Sequence, residues 1–195
     1  MAKRIPLRAP LIPGSPFTPI DLRPHLNQGM ENLALRHSMG ITNSTALLSR
    51  LDGVEFEFCG YILLDGKNAD PAFPSRMMNI QIGQRCRALH FLQGCDPVSD
   101  RPSGSLVGSY IVHYAEAADE TIPLVGNQYV RWWSDTDKEF GRATEAWHGK
   151  NDNGDVERLF RQSWSNPHPE LEIQCIDFLS SGAGRLLLFA ITAER

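Results

Sequence analysis

Short runs of alternating apolar and polar residues recur along most of this chain, and Gly, Pro, Asn and Asp separate them. Side chains on an extended strand point to opposite faces in turn, so a period of two marks a strand with one buried face. Val54-Glu55-Phe56-Glu57-Phe58 alternates apolar and acidic residues and predicts a half-buried strand. Tyr61-Ile62-Leu63-Leu64 follows Gly60 and runs into an Asp65-Gly66 turn. Met78 to Ile82 alternates again, and Ala88 to Leu92 has a more buried profile. Ser109 to Tyr114 and Thr121 to Leu124 bracket a short polar connection and predict a hairpin, with Pro123 placing its strand at an edge or a bulge. Ile20 to Leu22, Asn127 to Val130, Phe160 to Trp164, Glu172 to Leu179 and Leu186 to Thr192 bring the set to about ten short strands. No long stretch carries a 3.6-residue period. Strands spaced by roughly 8–12 residues predict an all-β sandwich or barrel rather than a parallel α/β sheet.

The rest of the chain is organised around these strands. Residues 1–16 are Pro-rich and read as an extended arm, and residues 17–195 as one domain. Residues 27–49 read as a long polar loop with one helical turn near Glu31 to Leu35. At 195 residues, a single core buries roughly 70% of the unfolded chain's surface, so neither disulfides nor a metal is required for stability. Cys59, Cys86, Cys95 and Cys175 form no CxxC pair and read as reduced thiols in strands. A Cys86–Cys95 or Cys59–Cys175 bridge can form only if the protein is exported.

Net charge is −4, with the two signs interspersed. No Lys/Arg-rich stripe marks a nucleic-acid surface. No run approaches the ~20 apolar residues that span a bilayer. The start, Met1 to Pro6, is basic but gains no apolar stretch, because Pro6, Arg8, Pro10 and Pro13 interrupt it. The chain as it stands reads as cytoplasmic, and as exported if a leader has been removed.

Few catalytic signatures are present. There is no phosphate-binding glycine loop, no Gly-x-Ser-x-Gly elbow, no His-x-His and no HExxH. His90 and His113 each fall within a strand and read as satisfied, partly buried histidines, though they could meet across a sheet. Asp135, Asp137, Glu139, Glu145, Asp152 and Asp155 cluster in the least regular part of the chain, which reads as a solvated loop. A calcium site built from Asp152, Asn153 and Asp155 is the weaker alternative, since the run lacks the evenly spaced ligands and terminal Glu of an EF-hand. No other cofactor is expected.

The tryptophans are more informative. Trp132, Trp133, Trp147 and Trp164 are the chain's four, and they fall within 33 positions. Adjacent Trp132 and Trp133 on an extended backbone point to opposite faces, so one can enter the core while the other is exposed or lies under a loop. The plain reading of the four is as core or loop anchors. The alternative is that at least one serves recognition, since an exposed indole suits the C–H face of a sugar ring or a protein partner, and Arg131 and Asp135 stand beside the pair to hydrogen-bond hydroxyls. The candidate ligand-binding residues are therefore Trp132, Trp133, Arg131, Asp135, Trp147 and His113, with no catalytic residue among them.

Several strings occur in a recognisable order. They include Phe17-Thr18-Pro19-Ile20-Asp21-Leu22, Arg87-Ala88-Leu89-His90-Phe91-Leu92-Gln93-Gly94-Cys95, Gly108-Ser109-Tyr110-Ile111-Val112-His113-Tyr114-Ala115, Ile122-Pro123-Leu124, Arg131-Trp132-Trp133, Ala146-Trp147-His148-Gly149-Lys150-Asn151, Trp164-Ser165-Asn166-Pro167-His168-Pro169 and Ile176-Asp177-Phe178. Together they resemble a bacterial β-sandwich module of planctomycetes and verrucomicrobia, itself similar to galactose-binding-domain-like jelly rolls. The resemblance spans residues 17–194 and implies a two-sheet antiparallel jelly roll. It departs at two loops, Ala115 to Asp119 and Val125-Gly126. The intact Trp164-to-Pro169 string implies a structural turn with Trp164 packed beneath it. The implied function is a non-catalytic recognition module, carbohydrate-binding first. A protein-interaction or self-association domain, with oligomer formation, is the alternative. A glycoside-hydrolase-type enzyme comes third, by analogy alone.

Overall fold

A computed structural model describes residues 12–30, 47–65, 73–95, 104–126, 143–150, 154 and 156–195. Twelve strands occur among the described residues: β1 (Phe17–Pro19), β2 (Leu47–Leu51), β3 (Val54–Phe58), β4 (Ile62–Leu64), β5 (Arg76–Gln84), β6 (Ala88–Cys95), β7 (Leu106–Tyr114), β8 (Glu120–Val125), β9 (Thr144–Lys150), β10 (Val156–Ser165), β11 (Ile173–Ser180) and β12 (Leu186–Glu194). A single 3₁₀ turn, Arg23–His25, is the helical element described.

The strands form an antiparallel sandwich. One sheet runs β1-β12-β6-β10-β9, and β4 joins β1 along the free edge of β12. The other sheet runs β5-β11-β7-β8. Ile62, Leu89, Phe91, Leu188 and Ile191 from the first meet Ile80, Tyr110, Val112, Ile176 and Phe178 from the second. Phe91, Tyr110 and Phe178 stack in sequence, with ring centroids 4.2 and 4.9 Å apart. Tyr110 is fully enclosed, and its hydroxyl donates to Gln93 Oε1 (2.6 Å) while Gln93 Nε2 donates to Gln162 Oε1 (2.8 Å). These bonds offset the cost of desolvating three polar groups.

A third layer covers the opposite face of the six-stranded sheet. β2 and β3 pair through a two-residue turn, Asp52-Gly53, with φ of 45° and 80°. Two consecutive positive φ values define the hairpin turn that Asp-Gly favours. Val54, Phe56 and Phe58 of this hairpin form a second core with Leu92, Leu159, Leu187 and Phe189.

All five residues of β3 are buried, which overturns the half-buried expectation. The apolar side chains face the sheet as the alternation requires. The acidic ones are met by residues on either side of β1. Ser15 Oγ donates to Glu55 Oε2 (2.8 Å), and the Arg23 guanidinium, held above its usual pKa first by its hydrogen bond to Asp21, also feels the charge of Glu57.

Other boundaries also differ. The first strand is Phe17–Pro19, not Ile20 to Leu22, because Thr18 and its neighbours pair with the end of β12 while Ile20 and Leu22 turn into the core. β2 begins inside the segment expected to be a loop, and β9 occupies part of the acidic stretch expected to be a solvated loop. Glu145 lies in β9, where its carboxylate meets Arg158 Nε (3.0 Å) and His148 Nδ1 (2.7 Å). The predicted β7–β8 hairpin is present, with Pro123 on the edge strand β8. The four cysteines are free thiols, Cys86 and Cys95 buried, so neither contemplated bridge is formed. The turn expected near Glu31, the turn at Gly66 and the strand at residues 127–130 lie outside the described residues.

The second core makes a specific demand on stability. Phe56 is fully buried, and truncating it leaves a cavity between hairpin and sheet. We expect Phe56→Ala to cost about 3–5 kcal/mol in chemical denaturation. A loss below about 1 kcal/mol would show that the hairpin adds little to the fold.

Candidate functional site

The outward face of the four-stranded sheet carries a fixed group of polar side chains, and it begins with an irregularity in β5. Ile80 pairs with Ile176 and Met77 with Phe178, so Met78 and Asn79 together oppose the single residue Asp177. This is a β-bulge, a device that re-aims side chains and leaves backbone groups without ladder partners. Asn79 takes the left-handed conformation at φ 59°, which Asn tolerates better than most residues. Its freed N–H donates to Asp177 Oδ1 at 2.8 Å.

Asp177 points outward from β11 yet is only 3% exposed, because its neighbours close over it. Its other oxygen, Oδ2, lies 2.8 Å from His113 Nε2. His113 sits on β7, and its Nδ1 lies 3.0 Å from Asp119 Oδ1 in the β7–β8 turn. Both ring nitrogens thus face carboxylates, and both donate only when the ring is protonated. The hydrogen bond to Asp177 is the main cause that raises the His113 pKa, and burial opposes it. A half-buried imidazole, with its charged form favoured, therefore stands between a buried and an exposed carboxylate.

Cys175 lies directly across from His113 and contacts Asn79 Oδ1 through its sulfur (3.7 Å). Burial, then the charges of Asp177 and Asp119, raise its pKa. The thiol stays protonated, the opposite of an activated nucleophile. Exposed Asn79 and Gln81 and the 41%-exposed Met78 flank the group, with half-buried Ile111 behind it. Among the described residues, no set of three His, Cys, Asp or Glu side chains is placed to hold a metal ion, and no helix is long and apolar enough to cross a membrane.

Only two of the six candidate ligand-binding residues fall among the described ones, and the fold separates them. His113 belongs to the face above. Trp147 is on β9, at the edge of the other sheet, half-buried against the second core. Its indole lies against Gly149, where an added Cβ would stand 2.5 Å from Cζ2, so the glycine makes room for the ring. Trp132, Trp133, Arg131 and Asp135 lie outside the described residues, as do the calcium candidates Asp152, Asn153 and Asp155. His90 and His113 do not meet. They occupy β6 and β7, in different sheets, and each turns away from the core between them.

Sequence reasoning found His113 but not its partners. Asp177 is 64 positions away, and the bulge that aims Asn79 at it has no signature in the sequence. The Trp164-to-Pro169 string is a structural turn, as the resemblance implied. Asn166 Nδ2 donates to the Cys86 carbonyl (2.8 Å), its Oδ1 accepts from the Tyr114 hydroxyl (2.5 Å), and Trp164 packs against the main core.

Comparison with known proteins adds no relative. No protein-family model matches the chain, and no curated protein matches it. The module resemblance thus rests on the sequence strings themselves.

The His113 clasp has a pH consequence of definite sign. Because its pKa is raised on folding, its stabilising contribution is fully present below the unfolded value near 6.5 and is lost as pH rises through the higher folded value. The melting temperature of the native chain should fall from about pH 6 to about pH 9 more than that of His113→Gln. Parallel curves for the two proteins would show that the clasp does not titrate with folding.

Proposed function

We propose that this domain is a recognition module that binds a carbohydrate on the outward face of the four-stranded sheet, around His113. One observation carries the reading. The His113 ring, its two carboxylates and the bulge at Asn79 form a pre-positioned polar group on the outward face. A sugar offers hydroxyls that both donate and accept, together with an apolar C–H face. Asp119 and Asn79 supply acceptors, the amides of Asn79 and Gln81 supply donors, and Met78 and Ile111 supply apolar surface. The side chains are held by one another before a ligand arrives, which lowers the entropic cost of binding. The resemblance to galactose-binding-like modules points the same way.

The alternatives fit this face less well. Both edges of the four-stranded sheet are blunted, β8 by Pro123 and β5 by its bulge, which disfavours pairing with a second copy through strand edges. A glycoside-hydrolase reading requires one carboxyl group held as an acid and one free to act as a base or nucleophile. Here both Asp119 and Asp177 are engaged with His113.

Titration calorimetry against a panel of plant and bacterial oligosaccharides tests the proposal. Asp119→Ala and Asn79→Gly should each weaken binding at least about tenfold, roughly 1.4 kcal/mol. Glycine suits the positive φ at position 79, so that variant keeps the bulge. Absence of binding to every sugar, or affinities unchanged in both variants, would remove the carbohydrate reading.

A further inference from the structure

A second constellation lies on the outward face of the six-stranded sheet, on the far side of the sandwich. Ser163 on β10 stands directly opposite His90 on β6, and Glu194 ends β12 on the other flank of β6. Ser163 Oγ is 2.8 Å from His90 Nδ1, and His90 Nε2 is 3.2 Å from Glu194 Oε2.

The surrounding groups decide where the protons sit. Arg87 Nη2 donates to Glu194 Oε1 (2.5 Å), and that bond is the main reason the Glu194 pKa is lowered. An ionised Glu194 accepts from His90, so the imidazole carries its proton on Nε2 and presents a lone pair at Nδ1. Arg161 donates through Nη1 to Ser163 Oγ, which leaves the serine proton free to point at His90. Asp52, projected by the β2–β3 turn, fixes Arg161 through Nε (2.9 Å) and Nη2 (2.5 Å). Phe17 packs edge-on against the His90 ring at 5.9 Å. Burial holds the His90 pKa below its ordinary value, so the ring is neutral near pH 7. Ser163 itself is exposed.

We propose that Ser163 is the nucleophile of a serine-type esterase site, with His90 as general base and Glu194 as the group that orients it. The substrates are carboxylic esters small enough to lie on an open sheet face. Ser163 Oγ bonds to the acyl carbon as its proton passes to His90 Nδ1, and the carbonyl electron pair moves onto oxygen beside the Arg161 guanidinium. The carbonyl reforms and expels the alcohol, which takes the proton from His90. Water then attacks the acyl-serine with His90 again as base, and release of the acid restores Ser163. The arrangement meets the requirement of a nucleophile within hydrogen-bond reach of a base that a third group orients, with the ring nitrogens in exchanged roles relative to the Ser-His-Asp proteases. It is independent of the carbohydrate face.

Treating the full chain with a fluorophosphonate and weighing the intact protein tests this directly. One adduct per chain, mapping to Ser163, is expected, and Ser163→Ala should abolish it. His90→Gln should slow labelling by about 100-fold or more and Glu194→Gln by about tenfold, with circular dichroism unchanged. The labelling rate should rise with pH and level off above a midpoint below about 6.5. Because His90 is buried, the exposed Ser163→Ala variant decides the matter if His90→Gln does not fold. No adduct at Ser163 in the native chain, or equal rates in native and His90→Gln proteins, would overturn the proposal and leave these residues a polar ladder across the sheet.

Discussion

Much of this structure follows from one strand that cannot face water on either side. Eight consecutive residues, Leu186 to Ala193, are buried, and the apolar ones point both ways. Leu188 and Ile191 enter the core between the sheets, while Leu187 and Phe189 enter the core beneath the hairpin. Exposing either face would cost several large side chains at roughly 1.5–3 kcal/mol each. A two-layer sandwich covers one face only, and the β2–β3 hairpin supplies the other cover. The hairpin is also tied to this strand, because Thr192 Oγ1 donates to the Glu55 carbonyl at 2.7 Å.

This arrangement leaves the two functional groups on separate surfaces. The His113 group occupies the outward face of the four-stranded sheet, where no further layer lies among the described residues. The Ser163–His90–Glu194 group lies beside the hairpin, on the part of the six-stranded sheet that the hairpin does not fully cover. The central pairs, His113 with Asp177 and Ser163 with His90, join neighbouring strands, so their geometry is set by sheet register, while Asp119 and Asp52 reach them from turns. Strand-borne groups hold their geometry more tightly than loop-borne ones, which suits either binding or catalysis.

The strands whose own residues alternate were legible in the sequence, and so was the β7–β8 hairpin with Pro123 at its edge. β9 was not, because Thr144–Lys150 carries only Ala146 and Trp147 as apolar residues and owes its extended form to pairing with β10. The burial of Glu55 and Glu57 was hidden for a related reason. Glu55 is bonded by Ser15 and Glu57 feels the charge of Arg23, some 40 and 34 positions away, and no local pattern announces either. At the sites, individual histidines could be singled out, but their partners could not. Asn79 and Asp177 are 98 positions apart, and His90 and Glu194 are 104 apart. Such contacts exist only once register is set, and a one-residue slip would send every side chain to the opposite face.

The position of the doubly buried strand also bears on how the domain is made. Of the twelve strands, β12 is the last to emerge during synthesis, yet both cores need it. Until residues 186–193 are available, the hairpin lacks Leu187 and Phe189 beneath it, and β1, β4 and β6 lack their common neighbour. Folding must therefore wait for long-range closure, and the earlier strands remain exposed in the meantime. A ribosome paused before Leu186 would hold a domain with neither core complete.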